Sequence, residues 1–195
     1  MKNKLYGIDS NVSKSVYVCL FVSRNKDNKG VNEFKGRRQA FLTDLDIDDP
    51  NLVQKFNDFC KQGEYRELSR MYYSVNERDV EKIYKELLHF LIDNPDFNLC
   101  SIQAKLAGIA AKKECAKTRR WMFDFDHNDS KLLQEFLQDV SNFDENVQVD
   151  VHKTPHGYAV ITDRGFDCRK LLEKWSRYAT LKRDDLLCVR WQSNR

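Results

Sequence analysis

Apolar residues follow two different spacings along the chain, one typical of strands and one typical of helices. In the first part, residues 15–23, 41–47 and 69–74 are rich in β-branched and aromatic side chains and predict strands. The polar stretch 24–36 predicts a long loop between the first two strands. A helix is predicted to begin at Pro50, which suits the first turn because it needs no backbone N–H there.

The most regular helical pattern follows the third of these strands. Ser74 and Glu77 have the spacing of a capping box, and Asn94-Pro95 is predicted to end the helix. The apolar residues of its predicted inner face are Val80, Ile83, Tyr84, Leu87, Leu88 and Leu91. Residues 99–115 predict a further helix.

From residue 120 onward the predicted elements alternate as strand, helix, strand, strand, helix, strand. The strands are predicted at residues 120–125, 147–153, 158–162 and 186–191, and the helices at residues 130–140 and 167–178. This is the order of a split βαβ or RRM-like unit, a four-stranded antiparallel sheet with two helices on one face. We therefore predict one α+β domain. Its N-terminal α/β part is residues 1–117, and residues 118–195 hold an RRM-like core at about 118–191.

Composition adds limits rather than a function. The chain has 195 residues, 41% of them hydrophobic, which is sufficient for a core, and no apolar run reaches the length of a membrane span. Residues 1–10 contain no signal segment, and the six cysteines occur singly, as in a reducing compartment. These features predict a cytoplasmic protein without membrane contact. The net charge of +3 is too small to indicate nucleic-acid binding.

The distribution of charge is more informative than its sum. One stretch holds six basic residues and a single acidic one, and it leads directly into the strand at residues 120–125. The basic residues are Lys105, Lys112, Lys113, Lys117, Arg119 and Arg120. Such a cluster suits a strand of nucleic acid, although a solvated helix face has the same pattern.

Two carboxylates end this strand. Asp124 and Asp126 are two residues apart, so the alternation of a strand places both on one face of the sheet. Two ionised carboxylates repel each other in a partly buried cleft unless a cation neutralises them. Mg²⁺ or Mn²⁺ is therefore predicted here, since Mg²⁺ is usually bound by one or two carboxylates together with substrate phosphates. Residues 126–130 are also typical of a turn that leads into a capped helix, so the alternative that Asp126 only helps to form this turn stays open.

The turn between the next two strands contains residues suited to phosphate. Lys153 offers a cation and Thr154 a hydroxyl, and the turn backbone offers N–H groups, although a plain hairpin explains the same residues. A third acid follows at Arg183-Asp184-Asp185, directly before the last predicted strand, and we take it to be Asp184. In the split βαβ sheet these strand ends converge, so Asp124, Asp126 and Asp184 are predicted to surround one or two metal ions.

These motifs together resemble a known family. F-D-F-D at residues 123–126, K-T-P-H-G-Y at residues 153–158 and an acid before a closing strand are similar to the three motifs of the archaeo-eukaryotic primase superfamily, which includes the primase-polymerases. The chain looks most like the compact members found in bacteriophages and mobile elements. The resemblance covers residues 118–191. It implies that Asp124, Asp126 and Asp184 are catalytic residues and metal ligands.

The resemblance also implies how substrates bind. Lys153, Thr154, His156 and Tyr158 would hold the phosphates of a nucleoside triphosphate. DNA or RNA would be the second substrate, with other replication proteins as partners. The residues expected to contact nucleic acid are Arg70, Lys117, Arg119 and Arg120.

One position departs from the family pattern. The similar sequences read T-P-x-G-Y-H, whereas Ala159 follows Tyr158 here. The loss of a phosphate-binding His predicts a weakened metal-dependent nucleotidyltransferase, unless His156 substitutes for it. The alternative is a primase-fold or RRM-like protein that binds nucleotides, nucleic acid or a host partner without catalysis.

Other enzyme classes are disfavoured by the absence of their motifs. The sequence contains no G-x-S-x-G, no P-loop pattern and no G-x-G-x-x-G, which disfavours serine hydrolases, P-loop ATPases and dinucleotide enzymes. Too little chain follows the D-F-D pattern for a haloacid-dehalogenase-type phosphotransferase.

Overall fold

A computed structural model describes residues 15–194 of the chain, so the predicted lack of a signal segment in residues 1–10 falls outside the described part. The described strands are β1 (Tyr17–Ser23), β2 (Arg37–Thr43), β3 (Leu68–Ser74), β4 (Trp121–Phe125), β5 (Val149–Lys153), β6 (Tyr158–Thr162), β7 (Ala179–Lys182) and β8 (Leu186–Ser193). The described helices are α1 (Pro50–Lys61), α2 (Val80–Asp93), α3 (Ile102–Ala110), α4 (Ser130–Phe143) and α5 (Arg169–Trp175). The strands form two four-stranded antiparallel sheets, which confirms the predicted α+β class.

The N-terminal sheet has the strand order β2-β1-β3-β8. On one face, Phe21 and Met71 pack against Leu52 and Phe56 of α1. Helix α1 begins as predicted at Pro50, where the Asp49 side chain accepts a hydrogen bond from the Asn51 backbone N–H. The opposite face is shared, because α2 and α3 cover one end of it and the C-terminal sheet faces the other end.

The C-terminal sheet has the strand order β5-β6-β4-β7. Helices α4 and α5 lie together on one face, where Phe123 and Phe125 of β4 pack against Phe136 and Trp175. This is the predicted split βαβ arrangement, with β4 and β6 as central neighbours. On its other face this sheet meets the N-terminal sheet, and Met122 packs there close to Leu187.

The closing strand of this unit differs from the prediction. It is β7, which lies just beyond the end of the helix predicted at residues 167–178, and it pairs with β4. The segment predicted to close it, residues 186–191, is instead part of β8 and pairs with β3 of the other sheet. The error arose because β7 has only four residues and directly follows a helix, so its alternation was too short to detect.

Helix α2 is also capped and packed differently from the prediction. Asp79, not Ser74, caps it, and the Ser74 hydroxyl accepts a hydrogen bond from the Val18 backbone N–H. Only part of the predicted inner face is buried. Ile83 and Leu87 lie in the core, whereas Tyr84 and Leu88 are exposed together with other apolar residues of the helix. The helix predicted at residues 99–115 is broken into α3 and short 3₁₀ turns before and after it.

A buried ion pair joins the two places where the chain passes between the sheets. The guanidinium of Arg78, which is only 2% exposed, donates to both carboxylate oxygens of Asp184 at 2.9 Å. Asn76 also donates to Asp184 and binds the backbone of Arg120. The loop before β8 is thereby fastened to the segment after β3 and to the segment that enters β4.

No helix within residues 15–194 is long and apolar enough to cross a membrane. All six cysteines are free, and five of them are buried.

Removing the carboxylate of Asp184 should destabilise the fold. In Asp184→Asn the buried Arg78 loses its counter-charge, and we expect the free energy of unfolding to fall by about 3 kcal/mol, as measured by urea denaturation. The neighbouring Asp185→Asn is the matched control, and its exposed side chain predicts a change below about 0.5 kcal/mol. Equal effects of the two substitutions would contradict this role for Asp184.

Candidate functional site

A cleft of about 550 Å³ lies where the two sheets face each other. One wall is the face of the C-terminal sheet opposite α4 and α5, where alternate residues of β4 place Met122 and Asp124. The other wall comes from β1, β2, β3 and β8 of the N-terminal sheet. The turn between β5 and β6 closes one side through Thr154 and His156. This inter-sheet cleft contains the residues expected to do chemistry.

Asp124 and Asp126 both line the inter-sheet cleft, as the strand alternation predicted. Neither carboxylate forms a salt bridge or a side-chain hydrogen bond with another residue of 15–194. Burial raises the pKa of the Asp124 carboxyl, and the nearby charges of Asp126 and Asp185 raise it further, although Lys182 acts against them. The fold therefore holds carboxylates together at a cost in charge repulsion.

The third acid of the cleft is Asp185 rather than Asp184. Asp184 is held by Arg78 and lines a different groove, so the structure does not bring it to Asp124 and Asp126. Asp185 lines the inter-sheet cleft, and its charge contributes to the raised pKa of the Asp124 carboxyl. The two neighbours separate in the bend between β7 and β8, where Arg78 binds both carboxylate oxygens of Asp184 and leaves Asp185 to the cleft.

The facing wall is basic. Arg24, Lys26, Arg38 and Arg70 from the N-terminal sheet and its loop line it, and Lys182 of β7 joins them from the acidic side. Cationic side chains of this kind can neutralise a polyphosphate bound between the walls.

Arg70 is the most constrained of these cations. Its side chain is 6% exposed and donates to Asp27 at 2.8 Å, and its Nε has no hydrogen-bond partner within residues 15–194. A buried guanidinium N–H without a partner costs free energy unless a ligand accepts from it. Of the predicted nucleic-acid contacts, Arg70 is the one that lies in this cleft.

The turn at residues 153–158 places two of its predicted residues in the cleft. Thr154 and His156 line it, and His156 Nε2 lies 3.3 Å from Arg70 Nη2 of the other sheet. Since a guanidinium can only donate, the Nε2 atom of His156 must be the acceptor in this contact. A Cβ at Gly157 would overlap the Phe125 backbone oxygen, so glycine allows the turn to pack directly against the strand end that carries the acids.

Lys153 and Tyr158 lie elsewhere. They are register partners on the other side of the β5-β6 hairpin, where Tyr158 packs against the helix-covered core and the Lys153 ammonium lies over its ring and donates to Asn128. Ala159 is opposite Asp124 in the β4-β6 register and lines the cleft. The position of the expected family His therefore does face the acids, and Ala159 leaves it without a polar group.

The other predicted nucleic-acid contacts lie outside the inter-sheet cleft. Lys117 pairs with Glu77 at 2.6 Å, and Arg120 pairs with Asp150. Arg119 lines a second groove, the one that also contains Asp184, near Trp121 at the beginning of β4.

The donor set fits a divalent cation that arrives with its substrate. No group of three or more His, Cys, Asp or Glu side chains among residues 15–194 is arranged to hold a metal ion by itself. Asp124 and Asp126 nevertheless offer two carboxylates without a salt-bridge partner in a cleft with basic side chains opposite. Two carboxylates completed by phosphate oxygens and water are a normal set for Mg²⁺.

Comparisons of the chain with protein-family models, with curated proteins and with solved structures gave no match. What the inter-sheet cleft can bind must therefore be judged from its own side chains.

Sequence reasoning missed several lining residues of the cleft. Lys182 was missed because its short strand β7 was not predicted. Asp185 was missed because Asp184, the first of two adjacent acids, was predicted as the third metal ligand. Arg38 lay at the start of β2, before the strand predicted at residues 41–47. Its pairing opposite Val22 follows from sheet register, which the local pattern does not contain.

Replacing the Asp124 carboxylate should stabilise the protein at neutral pH. A raised pKa means that the native state retains a proton where the unfolded state has lost it, so stability falls as pH rises from near the ordinary value of 3.8. We expect Asp124→Asn to gain on the order of 0.5 kcal/mol at pH 7, where solvent screens the charge in part, and nothing at pH 3. Urea denaturation in EDTA at both pH values measures this, and an equal gain at pH 3 would contradict it.

Proposed function

We propose that this protein is a metal-dependent nucleotidyltransferase of primase-polymerase type, which acts on nucleoside triphosphates and nucleic acid. The observation that carries the proposal is the inter-sheet cleft, in which Asp124 and Asp126 lack salt-bridge partners within residues 15–194 and face a basic wall. Anionic residues repel a polyphosphate unless a divalent cation mediates, whereas the opposite wall attracts it. A metal-bound nucleoside triphosphate satisfies both walls at once.

The reaction is the transfer of a nucleotidyl group to a 3′-hydroxyl. The hydroxyl oxygen forms a bond to the α-phosphorus, the bond from this phosphorus to the bridging oxygen breaks, and pyrophosphate leaves with that oxygen. The hydroxyl proton passes to solvent through the open side of the cleft. Mg²⁺ or Mn²⁺, when bound, supplies charge neutralisation of the triphosphate and a lower pKa of the hydroxyl.

Each wall has a separate task in this proposal. Asp124 and Asp126 hold the cation, with Asp185 nearby in place of the predicted Asp184. Arg70 and His156, which contact each other across the cleft, hold the phosphates together, Arg70 through its unpartnered Nε–H and His156 through Nδ1–H, because its Nε2 accepts from Arg70. Positioning of this kind is the main contribution of a protein to phosphoryl transfer.

Ala159 bears on the strength of the activity. A His at this position would point at the acid pair, whereas His156 reaches the cleft from the tip of the turn. We infer that His156 takes over the phosphate contact and that the activity is weak. The six free cysteines favour a cytoplasmic site of action, and the resemblance to bacteriophage proteins favours partners in replication.

Asp124→Asn should abolish incorporation of nucleotides. We expect the rate of incorporation of labelled nucleotides into a primed template, with Mg²⁺ or Mn²⁺, to fall by roughly a hundredfold or more, because one of the two cation-holding carboxylates is lost. Glu135→Gln, an exposed carboxylate on α4 across the sheet from the cleft, is the matched control and should leave the rate unchanged. Unchanged incorporation by Asp124→Asn would contradict the assignment. Metal-dependent nucleotide binding by the wild type without any incorporation would instead identify a non-catalytic nucleotide-binding protein.

His156→Ala should weaken binding of the triphosphate. Removal of a hydrogen bond to a charged phosphate predicts an increase in Kd of about tenfold for a nucleoside triphosphate with Mg²⁺, measured by calorimetry. The corresponding nucleoside should bind both proteins equally. His89→Ala on α2 is the control, since His89 is exposed and does not line the cleft. Equal effects of the two substitutions would exclude His156 as a phosphate contact.

A further inference from the structure

A second groove of about 1020 Å³ lies at the opposite end of β4 from Asp126. Its walls are the segment before β4, the loop after β6 and the loop after β7. Trp121, the first residue of β4, forms part of its lining. At about 3.3 Å per residue, Trp121 lies about 10 Å along the strand from Asp124. This Trp121 groove and the inter-sheet cleft are therefore on one strand but on opposite faces of its sheet, because Trp121 packs on the helix-covered side with Phe123 and Asp124 faces the cleft.

The aromatic part of the Trp121 groove is fixed in place. The rings of Trp121 and Phe166 stack with centroids 6.3 Å apart, and the Arg183 guanidinium lies 5.3 Å from the Trp121 ring centroid. A Cβ at Gly165 would overlap the indole, so the loop after β6 packs directly against it. Trp121 nevertheless remains partly exposed in the groove. An unpaired base can stack on a rigid indole of this kind by taking the place of the Arg183 guanidinium, which is then available to a phosphate.

The charges of the groove favour phosphate. Five cationic side chains line it against three carboxylates, and the carboxylate of Asp184 is neutralised by Arg78. Lys113, Arg119 and Arg183 form no salt bridge within the described part of the chain. Cations without counter-charges gain most from a phosphate backbone, because they release its bound counterions.

We infer that the Trp121 groove binds a single-stranded polynucleotide, with a base stacked on Trp121 and phosphates held by Arg119 and Lys113. Stacking on the indole requires an unpaired base, which favours a single strand over a duplex. The inference rests on the proposed function only in that a nucleotidyltransferase takes a polynucleotide as its second substrate. It assigns the strand to a surface that shares no lining residue with that cleft.

The test is binding of fluorescein-labelled (dT)12 and (rU)12 to the full chain, measured by anisotropy in EDTA so that the metal plays no part. Arg119→Glu should raise the Kd at least tenfold and reduce the slope of log K against log salt by about 0.7 for each phosphate that the protein no longer neutralises. Lys61→Glu on α1 makes the same charge change at an exposed site far from the groove and should have little effect. Equal effects of the two would mean unspecific attraction and would overturn the inference.

Trp121 is tested separately because its loss also removes packing. Trp121→Leu should weaken binding about tenfold, whereas Trp121→Phe should retain most of it, with urea denaturation confirming that both fold. Retained binding by Trp121→Leu, or equal competition by a duplex, would overturn the stacking role. Comparison of the DNA and RNA probes shows which sugar the groove prefers.

The outcomes separate this inference from the proposed function. Asp124→Asn should bind the strand in EDTA like the wild type, since its carboxylate is not in the groove. Normal strand binding by the groove variants, with incorporation by the wild type, would overturn only the inference. Loss of strand binding by these variants, with no incorporation by the wild type, would overturn only the proposed enzyme.

Discussion

The ion pair between Arg78 and Asp184 is the interaction on which the rest of the structure depends. The chain crosses from the N-terminal sheet to the C-terminal sheet before β4 and returns before β8, and both crossings meet at this pair and at Asn76. A buried pair stabilises little in itself, because desolvation offsets much of its attraction. Its effect here is geometric, since it fixes one end of the two sheets and so sets how their facing walls approach each other.

The inter-sheet cleft shows how two sheets produce a site that neither has alone. The C-terminal sheet contributes an acidic wall through Asp124 and Asp126, and the N-terminal sheet contributes a basic wall through Arg70 and Arg38. The acidic wall is unfavourable without a ligand, because its carboxylates face one another in a partly buried space, whereas Asp27 compensates part of the basic wall by pairing with Arg24 and Arg70. Groups held against their own electrostatic preference are typical of functional sites.

Local patterns in the sequence were sufficient for most elements and for the acid pair. The helix-covered face of β4 and the shared face of Asp124 and Asp126 follow from the alternation of a strand alone. The short strand β7 and the pairing of β8 with β3 could not be predicted in this way, because strand pairing depends on contacts between residues that are far apart in the sequence. The choice of Asp184 over Asp185 failed for a related reason. The burial of Arg78, which claims one of two adjacent acids, is a property of the tertiary structure.

The position of β8 has a consequence for the order of folding. The C-terminal sheet is built from one continuous stretch of chain, β4 to β7. The connections between its paired strands are therefore short, and bringing these strands together costs little chain entropy. The N-terminal sheet is completed only when Leu186 and its neighbours return to Ser74 and the rest of β3. During synthesis, β3 therefore exposes an unpaired edge until β8 leaves the ribosome, and the split βαβ unit can form before that.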